Sequence, residues 1–69
     1  MPLSMVKAGK ENLIKKVGGK AETRQFLENL GFVSGSVVTV ISEINGNLIV
    51  SIKDSRVAIS REMASKIMV

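Results

Sequence analysis

The chain has 69 residues, with ten lysines and arginines against six acidic residues and a formal net charge of +4. This length predicts one domain, residues 1–69, near the lower limit at which a single core offsets the entropy of folding. Cysteine and histidine are absent, which excludes disulfides, thiolate metal sites, cysteine nucleophiles and histidine bases. No signal-peptide pattern begins the sequence, and no apolar run approaches the roughly 18 residues of a membrane span, so a cytoplasmic location is expected.

The positive charge is concentrated near the N-terminus. Residues 1–20 hold five lysines against one glutamate, whereas the remaining residues balance five basic with five acidic side chains. Four of these lysines are candidates for steering the protein toward an acidic partner or the anionic inner membrane surface: Lys7, Lys10, Lys15 and Lys16. A plain solvated face is the competing interpretation, and it is the commoner one.

A first ordered segment begins at Val6 and leads into a strand predicted over residues 11–17. Leu13, Ile14 and Val17 form the apolar side of this strand, with lysines between them. A pair of glycines ends it.

A short amphipathic helix is predicted from Lys20 to Leu30. Its inward positions recur at helical spacing: Thr23, Phe26, Leu27 and Leu30. Gly31 follows where a C-terminal cap needs a residue that accepts a positive φ. Three turns are too short to be stable alone, so we expect Leu27 and Leu30 to pack into a core.

Two strands, Ser36 to Glu43 and Asn47 to Lys53, predict a hairpin with two alternative registers. A two-residue type I′ turn at Asn45-Gly46 would face one set of side chains toward the second strand: Val37, Thr39, Ile41 and Glu43. A three-residue loop, Ile44 to Gly46, would instead pair Val38 with Ile52, Val40 with Val50, and Ser42 with Leu48. The second register places five apolar residues of six on one face, so we prefer it.

The last third of the chain predicts three further elements. A turn at Asp54-Ser55 precedes a short strand from Arg56 to Ile59, and Ser60 is a suitable N-cap for a helical turn from Arg61 to Ser65. Ile67 to Val69 form the final strand. Five or six short strands with one inserted helix and a helical turn before the last strand predict a mainly β fold, a small SH3-like barrel.

In their order and spacing, these residues resemble the ferrous iron transport protein A family, FeoA, over nearly the whole chain. The matching runs are Leu3 to Gly9, the segment before Gly19, Arg24-x-x-Leu27-x-x-Leu30-Gly31-Phe32-x-x-Gly35-x-x-Val38-x-Val40, Leu48-x-Val50-x-Ile52 and Ile59-x-Arg61-Glu62-x-Ala64-x-x-Ile67-x-Val69. The resemblance implies an SH3-like barrel with Val38 and Val40 turned inward. A weaker resemblance links the chain to the C-terminal module of iron-dependent repressors, although no DNA-binding helix pair precedes it.

The family resemblance implies a cytosolic accessory protein of bacterial ferrous iron uptake that binds and modulates FeoB, a membrane protein with a cytoplasmic GTPase domain. This role is protein recognition without a cofactor, a metal site or catalysis, and with membrane association only through the partner. The six acidic residues of the chain are scattered along the sequence, and the chain has no histidine or cysteine to act with them. This pattern disfavours an enzyme. Nucleic-acid binding through the basic N-terminal third is the alternative, disfavoured because only two aromatic residues are present for base stacking.

The two aromatic residues, Phe26 and Phe32, are candidates for an apolar patch that contacts a partner. Burial in the barrel is the favoured interpretation for both, because a domain this small needs most of its aromatic side chains inside. Together with the four lysines they complete the set of candidate partner-binding residues.

Overall fold

The computed structural model describes residues 1–69 and contains two sheets, two α-helices and a 3₁₀ turn. In chain order the elements are a 3₁₀ turn Leu3–Met5, β1 Glu11–Leu13, β2 Lys16–Val17, α1 Ala21–Leu30, β3 Val37–Ile44, β4 Asn47–Ile52, β5 Ser55–Ser60, α2 Arg61–Ala64 and β6 Ile67–Met68. One antiparallel sheet has the strand order β1-β3-β4-β5, and β2 pairs with β6 in a second sheet. The strands do not form a fully closed barrel, because β1 and β5 are the edge strands of the larger sheet.

Helix α1 ends as its glycine predicts. Gly31 has a φ of 110° in the left-handed region. Its N–H donates to the carbonyl of Glu28 at 3.0 Å, and the N–H of Phe32 donates to the carbonyl of Leu27 at 3.0 Å. These two bonds form a Schellman cap, in which the side chains of Phe32 and Leu27 are also both fully buried.

The hairpin of β3 and β4 contains both registers, joined by a β-bulge. Near the turn the pairs are Ile44 with Asn47, Glu43 with Leu48 and Ser42 with Ile49, whereas farther from it they are Val40 with Val50, Thr39 with Ser51 and Val38 with Ile52. Asn45 and Gly46 have φ values of 51° and 81°, as a type I′ turn requires. The preferred register is therefore confirmed at Val38 and Val40 and wrong at Ser42. Ile41 is the extra residue of the bulge. It shifts the register by one residue, so that a two-residue turn is combined with an inward-facing Val38 and Val40.

Two predicted boundaries in the other strands are wrong. The second hairpin turns at Lys53-Asp54, and Ser55 already belongs to β5. The strand predicted over residues 11–17 is divided into β1 and β2, with Ile14 buried and Leu13 58% exposed. Leu13 and Ile14 are neighbours, and successive side chains of a strand point to opposite faces, so only one of them reaches the core.

The core consists of twelve buried side chains from nearly every element of the chain: Leu3, Ile14, Leu27, Phe32, Val38, Val40, Leu48, Val50, Ile52, Ile59, Ala64 and Ile67. Leu30 is half-buried and packs against this cluster. No polar or charged residue is buried among them. The inward placement predicted for Leu27, Val38 and Val40 is confirmed.

Hydrogen bonds hold the start of helix α2 and join the two chain ends. Ser60 caps α2, because its Oγ accepts a hydrogen bond from the N–H of Met63 at 3.1 Å, which confirms the predicted N-cap. At the chain ends, the amino group of Met1 donates to the carbonyl of Val69 at 3.1 Å, and the N–H of Val69 donates to the carbonyl of Met1 at 2.8 Å.

Candidate interaction site

The outer face of helix α1 carries an exposed aromatic side chain. Phe26 is 49% exposed, and it lies in an open depression that is otherwise lined by Ala21, Glu22, Gln25 and Asn29. The side-chain N–H of Gln25 donates to the Oδ1 of Asn29 at 3.1 Å. The two amides are thus joined by one hydrogen bond, and the phenyl ring is the large apolar group of this face.

The expected burial of Phe26 is wrong, and the reason is the narrow inward stripe of α1. Leu27 is buried, and Thr23 and Leu30 are half-buried, so the stripe runs through positions spaced four and three apart. Each residue of an α-helix is turned by about 100° from the one before it. With Leu27 taken as 0°, Thr23 lies at about −40° and Leu30 at about −60°, whereas Phe26 lies at about −100°. Phe26 is therefore just beyond the edge of the inward stripe, and its ring stays exposed to solvent.

Phe32 occupies the opposite environment. Its side chain is 0% exposed and belongs to the core cluster, which confirms the favoured interpretation for this residue. The two aromatic residues consequently do not form one patch, and Phe32 is not available to a partner in this structure.

The four candidate lysines are all exposed. None of them forms an ion pair, since the one salt bridge in the structure joins Arg61 Nη1 to Glu43 Oε1 at 2.7 Å. Lys16 pairs with Met68 of β6, and Met68 in turn bridges to Pro2. Because neighbouring strands lie about 4.8 Å apart, this ladder brings Lys16 to within about 10 Å of the N-terminal segment.

Five exposed hydrophobic side chains besides Phe26 were not among the candidate partner-binding residues: Met1, Met5, Leu13, Val37 and Ile44. Leu13 and Val37 are directly opposite each other in β1 and β3. The period-two alternation of a strand could have found this pair, because Ile14 and Val38 are their buried neighbours. No comparable signal marks Met1 and Met5.

A polar cavity of about 310 Å³ lies on the outer face of the larger sheet. It is lined by Glu11, Ser36, Val37, Thr39, Ser51, Lys53 and Asp54. No group of three or more histidine, cysteine, aspartate or glutamate side chains converges anywhere on a point that could hold a metal ion. None of the helices has both the length and the apolar character needed to cross a membrane.

Comparison with known proteins places the whole chain in one family. Residues 1–69 match the family model described as FeoA domain. A Methanocaldococcus jannaschii protein named "Putative Fe(2+) transport protein A" is 41% identical over 68 residues, which cover 99% of this chain and 83% of that protein.

Solved structures agree with the sequence match. A crystal structure of an iron uptake regulatory protein, FeoA, is 26% identical with a TM-score of 0.90, covering 99% of this chain and 92% of that one. The Stenotrophomonas maltophilia FeoA, crystallised with zinc and described as an SH3 domain protein, is 22% identical with a TM-score of 0.86, covering 99% and 87%. The predicted SH3-like fold is thus confirmed.

The resemblance to a module of iron-dependent repressors is confirmed at the level of the fold, in a repressor that depends on manganese. A manganese-dependent transcriptional repressor is 17% identical to this chain, with a TM-score of 0.86. The superposition covers 97% of this chain and 39% of the repressor. Such a likeness shows that the same small barrel occurs as one part of a longer protein.

Proposed function

The chain belongs to the FeoA family, whose role is in ferrous iron transport, and on that premise we propose that it is a cytosolic accessory protein that binds the GTPase domain of a FeoB-type membrane transporter. The observation that carries the proposal is the match of all 69 residues to the family model. In this role the chain acts by protein recognition and performs no catalysis itself.

The contact is assigned to the outer face of α1, around Phe26. Aromatic side chains that become fully desolvated are frequent hot spots of protein interfaces. Phe26 is half exposed in this structure, so a partner pocket can still bury a large part of its ring. The surrounding side chains of Glu22, Gln25 and Asn29 supply the polar rim that such anchors normally have.

The exposed lysines contribute to the rate of association in this scheme. Unpaired surface charges steer an oppositely charged partner and make the on-rate depend on salt, while they add little to the lifetime of the complex. Lys7, Lys10, Lys15 and Lys16 have this character, since each is exposed and free of ion pairs.

The test is the affinity of the chain for the purified GTPase domain of the FeoB-type protein from the same organism. We expect Phe26→Ser to weaken binding by about 30-fold, the effect of losing a hot spot of about 2 kcal/mol. Leu13→Ser is the matched control, because Leu13 is similarly exposed, at 58%, but lies in β1. Equal affinity of the Phe26 variant and the wild type would contradict the assignment of this face.

A second titration addresses nucleic-acid binding. Phosphate attraction by lysines without stacking residues weakens steeply as salt increases, and the one exposed aromatic residue, Phe26, lies on α1, outside the basic N-terminal segment. We expect RNA to bind weakly at low salt and not measurably at physiological salt. Tight RNA binding that survives physiological salt would overturn the proposed function.

A further inference from the structure

The N-terminal segment forms a surface in which methionines and lysines are combined. Met1 and Met5 are 63% and 67% exposed, the highest values among the large hydrophobic side chains. They line an open cleft of about 320 Å³ together with Val6, Lys7, Lys10 and Asn12. We name these residues the methionine–lysine face.

The methionine–lysine face differs from the other depressions of the molecule in its charge. Each of the other three contains at least one carboxylate, namely Glu11 and Asp54, Glu22, or Glu62. The methionine–lysine face contains two lysines and no acidic residue. It is therefore the one of the four depressions whose lining residues carry a net positive charge.

Backbone pairing brings further basic residues near the N-terminal segment. Lys16 is linked to Pro2 through Met68, as described above, and Lys15 is its neighbour in sequence. The nearby Arg61 donates to the carbonyl of Ser4 at 3.3 Å, but its charge is offset by Glu43. Among residues 1–20 the only carboxylate is that of Glu11.

We propose that the methionine–lysine face binds directly to an anionic phospholipid surface. On amphipathic helices at the membrane interface, apolar side chains enter the acyl boundary while lysines meet the headgroups, and the methionine–lysine face combines the same two kinds of group on a turn and loop. Lysines close to such a surface each increase the binding constant by about fivefold. This contact goes beyond the association with a membrane protein proposed above, and it needs no protein partner.

The composition of the face favours lipid over nucleic acid. Bases stack on aromatic rings, and none of the six lining residues is aromatic. Methionine is a flexible apolar side chain that adapts to irregular apolar surroundings. Two of them exposed side by side suit the acyl boundary of a bilayer better than a phosphate backbone.

The experiment is co-sedimentation of the purified protein with phospholipid vesicles. One set is pure phosphatidylcholine, and the other contains about 30% phosphatidylserine, an anionic lipid of the kind found in the inner leaflet. We expect binding to the anionic vesicles only, with an affinity that falls as salt increases. Binding to neither set, or equal binding to both, would overturn the proposal.

Variants then locate the contact. Lys7→Gln with Lys10→Gln should weaken binding to the anionic vesicles by about 25-fold, a factor of about five for each lysine. The matched control is Arg24→Gln with Arg56→Gln, which removes the same charge from exposed positions in α1 and β5 and should change binding less than about twofold. Equal losses from the two pairs would mean attraction by net charge alone, which overturns the proposal.

The methionines are tested separately from the charge. We expect Met5→Ser to weaken binding to the anionic vesicles several-fold while the net charge and the slope of affinity against salt stay unchanged, because the variant removes only apolar contact. Unchanged binding would show that no side chain enters the bilayer and would overturn the proposed face. Thermal unfolding of each variant confirms that the fold is retained.

Discussion

The two hairpins of the larger sheet share strand β4 and have the same kind of turn, but their turn residues differ. Asn45 and Gly46 have φ values of 51° and 81°, and Lys53 and Asp54 have values of 48° and 64°. Both are two-residue turns of type I′, since the flanking residues pair directly. Asparagine and glycine accept left-handed backbone readily, whereas lysine does so at a cost of about 1–2 kcal/mol.

The residue before each turn explains how the second turn tolerates lysine. Ile44 precedes the first turn and is 56% exposed, whereas Ile52 precedes the second and is 1% exposed. The first hairpin projects beyond the core, so its geometry depends on local turn chemistry. The second turns immediately after a buried side chain, and core packing holds the backbone in a conformation that its own residues do not favour.

Truncation of the isoleucine before each turn should give the largest difference in stability between the two hairpins. Ile52→Ala should lower the free energy of unfolding by about 2–5 kcal/mol, because it leaves a cavity in a packed core. Ile44→Ala, the matched variant at the other turn, should change the free energy by less than about 0.5 kcal/mol. Denaturant unfolding measures both. Similar losses at the two positions would contradict the difference in burial.

An exchange of turn residues tests the backbone cost itself. Lys53→Asn with Asp54→Gly should stabilise the protein by about 1 kcal/mol. The exchange relieves the strain of left-handed backbone, and part of that gain is offset because the added glycine loses more conformational entropy on folding. For a domain of this size, that gain raises the melting temperature by about 4–8 °C. The reverse exchange, Asn45→Lys with Gly46→Asp, should lower it by a similar amount.

One contact opposes the gain at the second turn. A Cβ placed on Gly31 would lie 3.3 Å from Cδ of Lys53, so the stem of Lys53 covers the helix cap. A lower melting temperature for Lys53→Asn with Asp54→Gly would show that this cover outweighs the backbone strain.

The smallest expected effect concerns the ion pair that attaches the first hairpin to α2. Arg61 and Glu43 approach to 2.7 Å, and each side chain remains about half exposed. Such exposed ion pairs contribute about 0.2–1 kcal/mol to the free energy of unfolding, and less at high salt. Arg61→Met and Glu43→Gln, singly and together, give the coupling free energy from thermal unfolding. A coupling that persists undiminished at high salt would contradict a solvent-screened pair.

The same contrast shows what could be predicted from the sequence. Asn45-Gly46, the glycine cap at Gly31 and the Ser60 cap are local signals with a definite backbone geometry, and the structure confirms each of them. The second turn was predicted one residue too late, at Asp54-Ser55, because lysine is not a residue that favours left-handed backbone, and the burial of Ile52 fixes the turn at Lys53-Asp54. The bulge at Ile41 follows from two signals in conflict, and neither register alone predicts it.

The candidate site was less predictable than the fold. Phe26 and Phe32 are the same residue type six positions apart, yet one is 49% and the other 0% exposed. The exposure of Phe26 depends on how wide a stripe of α1 packs against the core, and the burial of Phe32 depends on the direction of the chain after the cap at Gly31. Both are properties of tertiary packing. Likewise, the sequence shows the lysines near the N-terminus, but only the structure places Met1 and Met5 beside them.

The paired chain ends have a consequence for the topology of the polypeptide. Met1 and Val69 exchange two backbone hydrogen bonds, which is the arrangement that closes a two-residue hairpin. An Asn-Gly linker from Val69 to Met1 would therefore complete a third type I′ turn and convert the protein into a backbone ring. A ring has fewer unfolded conformations than an open chain, so the molecule is already shaped for cyclisation.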